Sequence, residues 1–230
     1  MNNLKDINKK LDSVCAVIPF YNEKATLNIV LNETLKYVNF IIAVNDGSDD
    51  DSYQDERNKS FVKIIDHDKN YGKGKALSTG FEEAILSEHK FVITIDADLQ
   101  HKAENIPELI KSLSYFDIVI GNRLKNLKDM PLQRRLSNKI TSFLLAVKTR
   151  QNILDSQCGF RAFRREVLEK VKTNNFGFEA ESEILIKASK KGFKIGFVDI
   201  PTIYGNENSK MRPMQAIFGF VKVIFSNPNT

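Results

Sequence analysis

The chain has 230 residues, 42% hydrophobic and 27% charged, which suits one large domain with a proper core and excludes a disordered or low-complexity protein. Two cysteines, Cys15 and Cys158, exclude a disulfide framework and lack metal-ligand spacing, so a reduced, cytoplasmic setting is expected. The net charge of +5 conceals an asymmetry: Asn122 to Lys172 carries 13 Lys and Arg against 4 Asp and Glu, or +9, leaving −4 for the rest. Such a basic block suits phosphate groups or an anionic membrane surface, unless it merely solvates helix faces. Met1 to Leu11 is polar and lysine-rich, unlike a signal peptide, and no apolar run approaches the roughly 20 residues that span a bilayer.

Val14 to Ile18 reads as a first buried strand that ends at Pro19, with Phe20 to Glu23 forming a loop before an amphipathic helix through Leu35. Phe40 to Val44 is a second strand, followed by Asn45-Asp46-Gly47-Ser48, and Val62 to Ile65 a third. Gly72-Lys73-Gly74-Lys75 then opens a helix through Leu86. This loop matches neither a Walker loop nor a Gly-x-Gly-x-x-Gly fingerprint. It is either a structural turn or a phosphate contact through Lys75. Phe91 to Ile95 is the fourth strand and Asp117 to Gly121 the fifth. Strands recurring every ~25 residues with helical patterns between them predict βαβ units and an α/β, mostly parallel sheet flanked by helices. In such sheets ligands bind beyond the carboxyl ends of the strands. Pro19 to Glu23, Asn45 to Ser48 and Asp96 to Gln100 therefore share one expected crevice.

The fourth strand runs into Asp96-Ala97-Asp98-Leu99-Gln100. In extended geometry, residues two apart point to one side, so the two carboxylates can face one site. Held about 4 Å apart near a surface, they repel by roughly 4 kcal/mol unless a cation lies between them. A hard divalent ion with oxygen ligands meets that need, and Gln100 adds a carbonyl oxygen. The plainer alternative makes Asp96 a turn residue and Asp98 a helix cap.

Past Asn122 the pattern changes. Pro131 suits a first helical turn, after which Leu132, Leu136, Ile140, Phe143, Leu144 and Val147 share one face, with Arg134, Arg135 and Lys139 off it. Cys158 to Phe163 reads as a turn into a short strand, Arg165 to Lys172 and Glu181 to Lys191 as helices, and Phe193 to Ile200 as a strand. Asn206 to Arg212 is a polar loop, and Pro213 to Phe225 a helix apolar on most faces, which is either core or buried against lipid or a partner.

Seven ordered segments together resemble the GT-A glycosyltransferases of family 2, specifically the dolichyl- and polyprenyl-phosphate sugar transferases. They are Val17–Glu23, Val44–Ser48, Asn70–Leu77, Asp96–Gln100, Ile120–Arg123, Asp155–Phe163 and the Ser209–Met211 region. The resemblance implies a single GT-A, Rossmann-like domain over 1–230. Residues 12–121 form its nucleotide-sugar-binding half and 122–230 its acceptor side. Pro19, Tyr21 and Glu23 look like the nucleobase wall, with Val44 and Asp46 beside base and ribose and Ala97 among the nucleotide contacts. Asp96, Asp98 and Gln100 look like ligands of Mg²⁺ or Mn²⁺. Arg123 resembles an arginine that approaches sugar or phosphates, Arg134 or Arg135 a contact to the acceptor phosphate, and Lys210 or Arg212 a clamp over the diphosphate.

The activity so implied is inverting, metal-dependent transfer of a sugar from a GDP- or UDP-linked donor to a polyprenyl phosphate. The protein would then sit peripherally on the cytoplasmic face of a membrane. A lipid phosphate is largely ionised at neutral pH, with a second pKa near ~6, so it needs no general base. A soluble transferase acting on a glycan hydroxyl does need one. Asp155 is the candidate base by position, with a turn or capping role as its alternative, and Glu179, Glu181 and Glu183 also lie close together. A non-catalytic nucleotide-sugar-binding module is the remaining reading. The processive members carry Gln-x-x-Arg-Trp, and this chain has no Trp, which speaks against polymer synthesis.

Overall fold

The computed structural model describes residues 13–51, 53, 57, 59–125, 130–173, 177 and 179–201. The expected polar loop 206–212, with Lys210 and Arg212, and the expected helix 213–225 lie outside the described residues. Among those described, seven strands form one sheet: β1 (Val14–Phe20), β2 (Phe40–Asn45), β3 (Val62–Asp66), β4 (Phe91–Thr94), β5 (Ile118–Asn122), β6 (Arg161–Arg164) and β7 (Ile195–Asp199). Their spatial order is β3-β2-β1-β4-β6-β5-β7.

Burial follows position in that order. β1 is buried along its whole length and β2 nearly so, because helices cover both faces of a central parallel strand. The edge strands β3 and β7 keep half-buried and exposed positions. The chain steps outward from β1 through β2 to β3, then returns to place β4 on the other side of β1. That reversal is a topological switch point, where open α/β sheets form their ligand crevice.

β6 departs from the parallel pattern. It lies antiparallel between β4 and β5, with Thr94 opposite Arg161 and Ile120 also opposite Arg161. The residues just before β6 therefore emerge at the carboxyl ends of β4 and β5. Helices α1 (Leu27–Thr34), α2 (Lys73–Leu86), α3 (Ile106–Ser112), α4 (Leu132–Thr149), α5 (Arg165–Lys170) and α6 (Ala180–Lys190) join the strands. No helix among the described residues is long and apolar enough to cross a membrane.

Candidate active site

Two loops make one wall. Pro19 pairs in register with Val44, and Phe20 with Asn45, so the segments after β1 and β2 rise side by side. Asn22 N–H donates to Ser48 Oγ (2.9 Å), Asp49 N–H to Asn22 Oδ1 (3.0 Å) and Ser48 N–H to Asn45 Oδ1 (2.8 Å). Tyr21 and Glu23 are half-buried on this rim, and Glu23 Oε2 accepts a hydrogen bond from Thr26 Oγ1 at 3.0 Å beside the start of α1.

Asp46 is buried and anchors the glycine loop. Its carboxylate accepts the N–H groups of Tyr71 (3.0 Å) and Gly72 (2.8 Å), and Oδ1 lies 2.8 Å from His67 Nδ1. Gly72, at φ 99°, takes a conformation that suits glycine and precedes the first residue of α2. These contacts favour the structural-turn reading of Gly72 to Lys75. They also move attention from the half-buried Lys75 to Lys73, which opens α2 and turns into the site.

The centre of the site is an ion network. Lys73 Nζ lies 2.7 Å from Asp96 Oδ1 and 3.4 Å from Glu181 Oε2. Burial alone would lower the Lys73 pKa, but Asp96 and Glu181 hold it above the ordinary lysine value. Burial likewise works to raise Asp96, and the Lys73 ammonium overrides it, so Asp96 stays ionised below the usual carboxylate range. Glu181 Oε1 also lies 3.4 Å from the fully buried Arg161. Arg161 donates to the carbonyls of Cys158 (2.7 Å), Ser156 (2.9 Å) and Glu181 (3.1 Å). Its guanidinium thereby fixes the approach to β6, and with it Gly159. A Cβ on Gly159 would stand 2.3 Å from Asp96 Oδ2 and 2.8 Å from Lys73 Nζ, so glycine is what lets this backbone form the floor beneath Asp96.

The strand after which Asp96 lies is shorter than the sequence suggests. β4 ends at Thr94, Ala97 and Asp98 are in a turn, and Leu99 has φ 59°. The relation of Asp96 to Asp98 is set by that turn and not by the alternation of an extended strand. Asp98 Oδ1 accepts the Gln100 N–H at 3.0 Å, which ties two of the three expected ligands together. The donor set is two carboxylates and an amide, placed beside a floor with no room for a side chain. It fits a hard cation that completes its shell with substrate phosphates, and it is not an all-protein cage. Among the described residues, no group of three or more His, Cys, Asp or Glu gathers as such a cage.

Asp155 requires a correction. It is fully buried, and its two oxygens accept from five donors: Arg123 N–H, Nε and Nη2, Asn138 Nδ2 and Gln157 N–H, at 2.6–3.2 Å. Burial would raise its pKa, but the Arg123 guanidinium first, and Asn138 after it, hold it down. A carboxylate so saturated has no oxygen left to take a proton from an incoming hydroxyl. Asp155 positions Arg123, and Arg123 is the residue of the pair that borders the site.

His101 was not singled out from the sequence. It is buried with its ring on Phe160 (centroids 5.5 Å apart), and burial together with the Arg123 charge lowers its pKa to about 4, leaving a neutral imidazole. Cys158, 3.9 Å from His101 Nε2, is pushed up to about 12 by burial and is no nucleophile. Of the residues missed, Arg161 had a legible signal: a cation inside the short apolar run Phe160 to Phe163 must find partners. Arg134 and Arg135 are half-buried in the first turn of α4, where Arg135 Nε donates to the Met130 carbonyl at 2.7 Å.

Comparison with known proteins places this geometry among relatives. A family model described as Glycosyl transferase family 2 matches residues 15–172. The chain is 36% identical to an uncharacterized protein of Methanocaldococcus jannaschii, MJ1222, over 97% of this chain and 93% of that one. It is 33% identical to UDP-N-acetylglucosamine--dolichyl-phosphate N-acetylglucosaminyltransferase of Methanococcus voltae, covering 89% of this chain and 90% of that one. It is 35% identical to dolichol-phosphate mannosyltransferase of Pyrococcus furiosus, over 92% of this chain but only 62% of the relative. Among solved structures, glucosyl-3-phosphoglycerate synthase from Mycobacterium tuberculosis, solved with Mn²⁺, UDP and phosphoglyceric acid, superposes with a TM-score of 0.74. It is 19% identical and covers 97% of this chain and 84% of that one, which establishes a shared fold.

Proposed function

Since the chain belongs to glycosyl transferase family 2 and is a glycosyltransferase, we propose that it moves a sugar from a nucleoside-diphosphate donor onto a polyprenyl or dolichyl phosphate, inverting the anomeric centre. The observation that carries the choice of acceptor is the state of three of the four candidate carboxylates. Asp155 is saturated, Glu181 is paired with Lys73 and Arg161, and Glu183 lies 2.7 Å from Lys187. A hydroxyl acceptor needs a base, whereas a phosphate monoester arrives ionised. The acceptors named for the Methanococcus and Pyrococcus relatives are lipid phosphates and support the same reading.

In this reading the donor half, 12–121, seats the base and ribose on Pro19, Tyr21, Glu23 and Val44, beneath the rim stitched by Asn22 and Ser48. Asp96, Asp98 and Gln100 would hold Mg²⁺ or Mn²⁺, which when bound offsets charge developing on the departing diphosphate. Lys73 and Arg123 stand beside those carboxylates as preorganised cations and lower the cost of that charge without reorganising. Arg123 keeps its aim because Asp155 grips it at two nitrogens and the backbone. On the acceptor side, Arg134 and Arg135 lie at the positive end of α4, where a phosphate is favoured. A single displacement, with no covalent enzyme intermediate, inverts the sugar.

The direct test is radiolabelled sugar transfer from GDP-mannose and UDP-linked sugars to a polyprenyl phosphate in detergent, with a glycan acceptor in parallel. Label appearing only in the glycan, or only as free sugar, would reject the lipid-phosphate reading. Nucleoside diphosphate binding should need a divalent cation, and Asp98→Asn should weaken it tenfold or more, about 1.4 kcal/mol. Equal affinity in EDTA and in Mn²⁺ would remove the metal from this account.

A further inference from the structure

The ammonium of Lys73 stands where a cation is expected. Asp96 meets the rest of the site through both of its oxygens. Oδ2 lies against the backbone of Gly159, 2.3 Å from the point a Cβ would occupy there. Oδ1 carries Lys73 Nζ at 2.7 Å. The two side chains are only 19% and 25% exposed, so their attraction is weakly screened.

Nζ has a second carboxylate within reach. Glu181 Oε2 lies 3.4 Å away, on a side chain 10% exposed. Glu181 is itself fixed, because its other oxygen lies 3.4 Å from Arg161, whose guanidinium is held by three backbone carbonyls. Lys73 therefore stands between one carboxylate that belongs to the expected cation site and one that does not. It is the first residue of α2, so its backbone is anchored while its charged head rides on a flexible four-carbon stem. A small swing of that head trades the shorter contact for the longer one.

Charge makes the two occupants of Asp96 exclusive. Lys73 and Arg161 cancel Asp96 and Glu181, so the cluster is neutral as it stands. A divalent ion on Asp96 beside an unmoved Lys73 would meet twice the repulsion that a single charge meets at the same distance. We propose that Lys73 is a resident counter-ion, holding Asp96 in the metal-free protein and displaced onto Glu181 when a divalent ion binds. Beside Glu181 the ammonium stays at the site and is in place to pair with a donor phosphate before the sugar moves. Metal and nucleoside diphosphate thereby bind cooperatively, since the phosphates give the displaced charge a partner. This rests on the reading of Asp96 and Asp98 as cation ligands.

The test is Mn²⁺ binding to the full chain, read from the EPR signal of free Mn²⁺, first without nucleotide and then with GDP or UDP. Lys73→Met should bind Mn²⁺ alone about tenfold more tightly than wild type, since no ammonium has to leave. Its metal-free melting temperature should fall, because Asp96 and Glu181 lose their shared cation, and Mn²⁺ should restore more of it than in wild type. The gain in Mn²⁺ affinity on adding nucleotide should shrink in the same variant. Lys73→Gln, whose amide can still donate to Asp96 without a charge, gives the same readout if the methionine variant does not fold. Lys75→Met removes the half-buried cation of the next turn and should change Mn²⁺ affinity by less than about twofold. Equal gains from the Lys73 and Lys75 variants would reduce the effect to the general field of the site and overturn the inference. Unchanged or weaker Mn²⁺ binding by Lys73→Met, with wild type binding the ion, would also overturn it and leave the metal assignment standing. Mn²⁺ binding by neither protein, with or without nucleotide, would remove the metal assignment and the inference with it.

Discussion

Asp155→Ala should destabilise the protein by about 3–5 kcal/mol, because it leaves the Arg123 guanidinium largely buried without its carboxylate. Chemical denaturation of the variant and wild type at pH 7 measures the loss directly. The pH dependence carries a sign. The folded pKa of Asp155 lies below that of an unfolded aspartate, near 3.9. Its stabilisation is therefore full above that value and is lost as pH falls through the lower folded one. The gap between wild type and variant should stay constant from neutral pH down to about 4 and narrow only below it. A gap under about 1 kcal/mol at pH 7 would show that Arg123 does not depend on this partner. Were Asp155 instead a general base, the variant would keep wild-type stability and lose turnover.

Gly159→Ala should behave in the opposite way, with activity lost and stability kept. The added Cβ meets the carboxylate end of Asp96 and the tip of Lys73, both ends of side chains that can swing aside. The fold survives that adjustment at little cost. The proposed site does not, because misplacing a carboxylate proposed to hold the metal by about an ångström costs on the order of a hundredfold in rate. Sugar transfer should therefore drop about a hundredfold, while the melting temperature moves by no more than a few degrees, as expected when side-chain tips alone move. Transfer within threefold of wild type would show that Asp96 has room to spare.

The two cases differ in how far they could be read from the chain alone. The strands were legible to within a residue or two, since Val14 to Ile18, Phe40 to Val44 and Phe91 to Ile95 are short, mostly apolar runs with no period of exposure. So were the loops at their carboxyl ends, which chain direction assigns to one side of a parallel sheet. The pair Asp96 and Asp98 stood out because two carboxylates at the end of a buried strand require a cation. What remained ambiguous locally was decided by partners far along the chain. The glycine loop pointed to Lys75, whereas the start of α2 against β1 and β2 turns Lys73, not singled out from the sequence, toward Asp96. Asp155 fits a base or a turn equally well until Arg123, 32 residues earlier, is seen to close on it.

Composition, periodicity and motif order by themselves determined the α/β class, the crevice beyond β1, β2 and β4, and the family resemblance. Each of those depends on residues near one another in sequence. Tertiary structure alone decided that β6 enters antiparallel between β4 and β5, bringing Gly159 under Asp96, and that α4 turns its polar side inward. A four-residue strand pairs in either direction with similar local energy, and a helix with one apolar face does not state what that face meets. Strand direction and helix rotation are settled by distant hydrogen-bond partners: Thr94 with the Gly159 carbonyl at 2.7 Å, and Ser142 and Asn138 with the loop that holds Arg123.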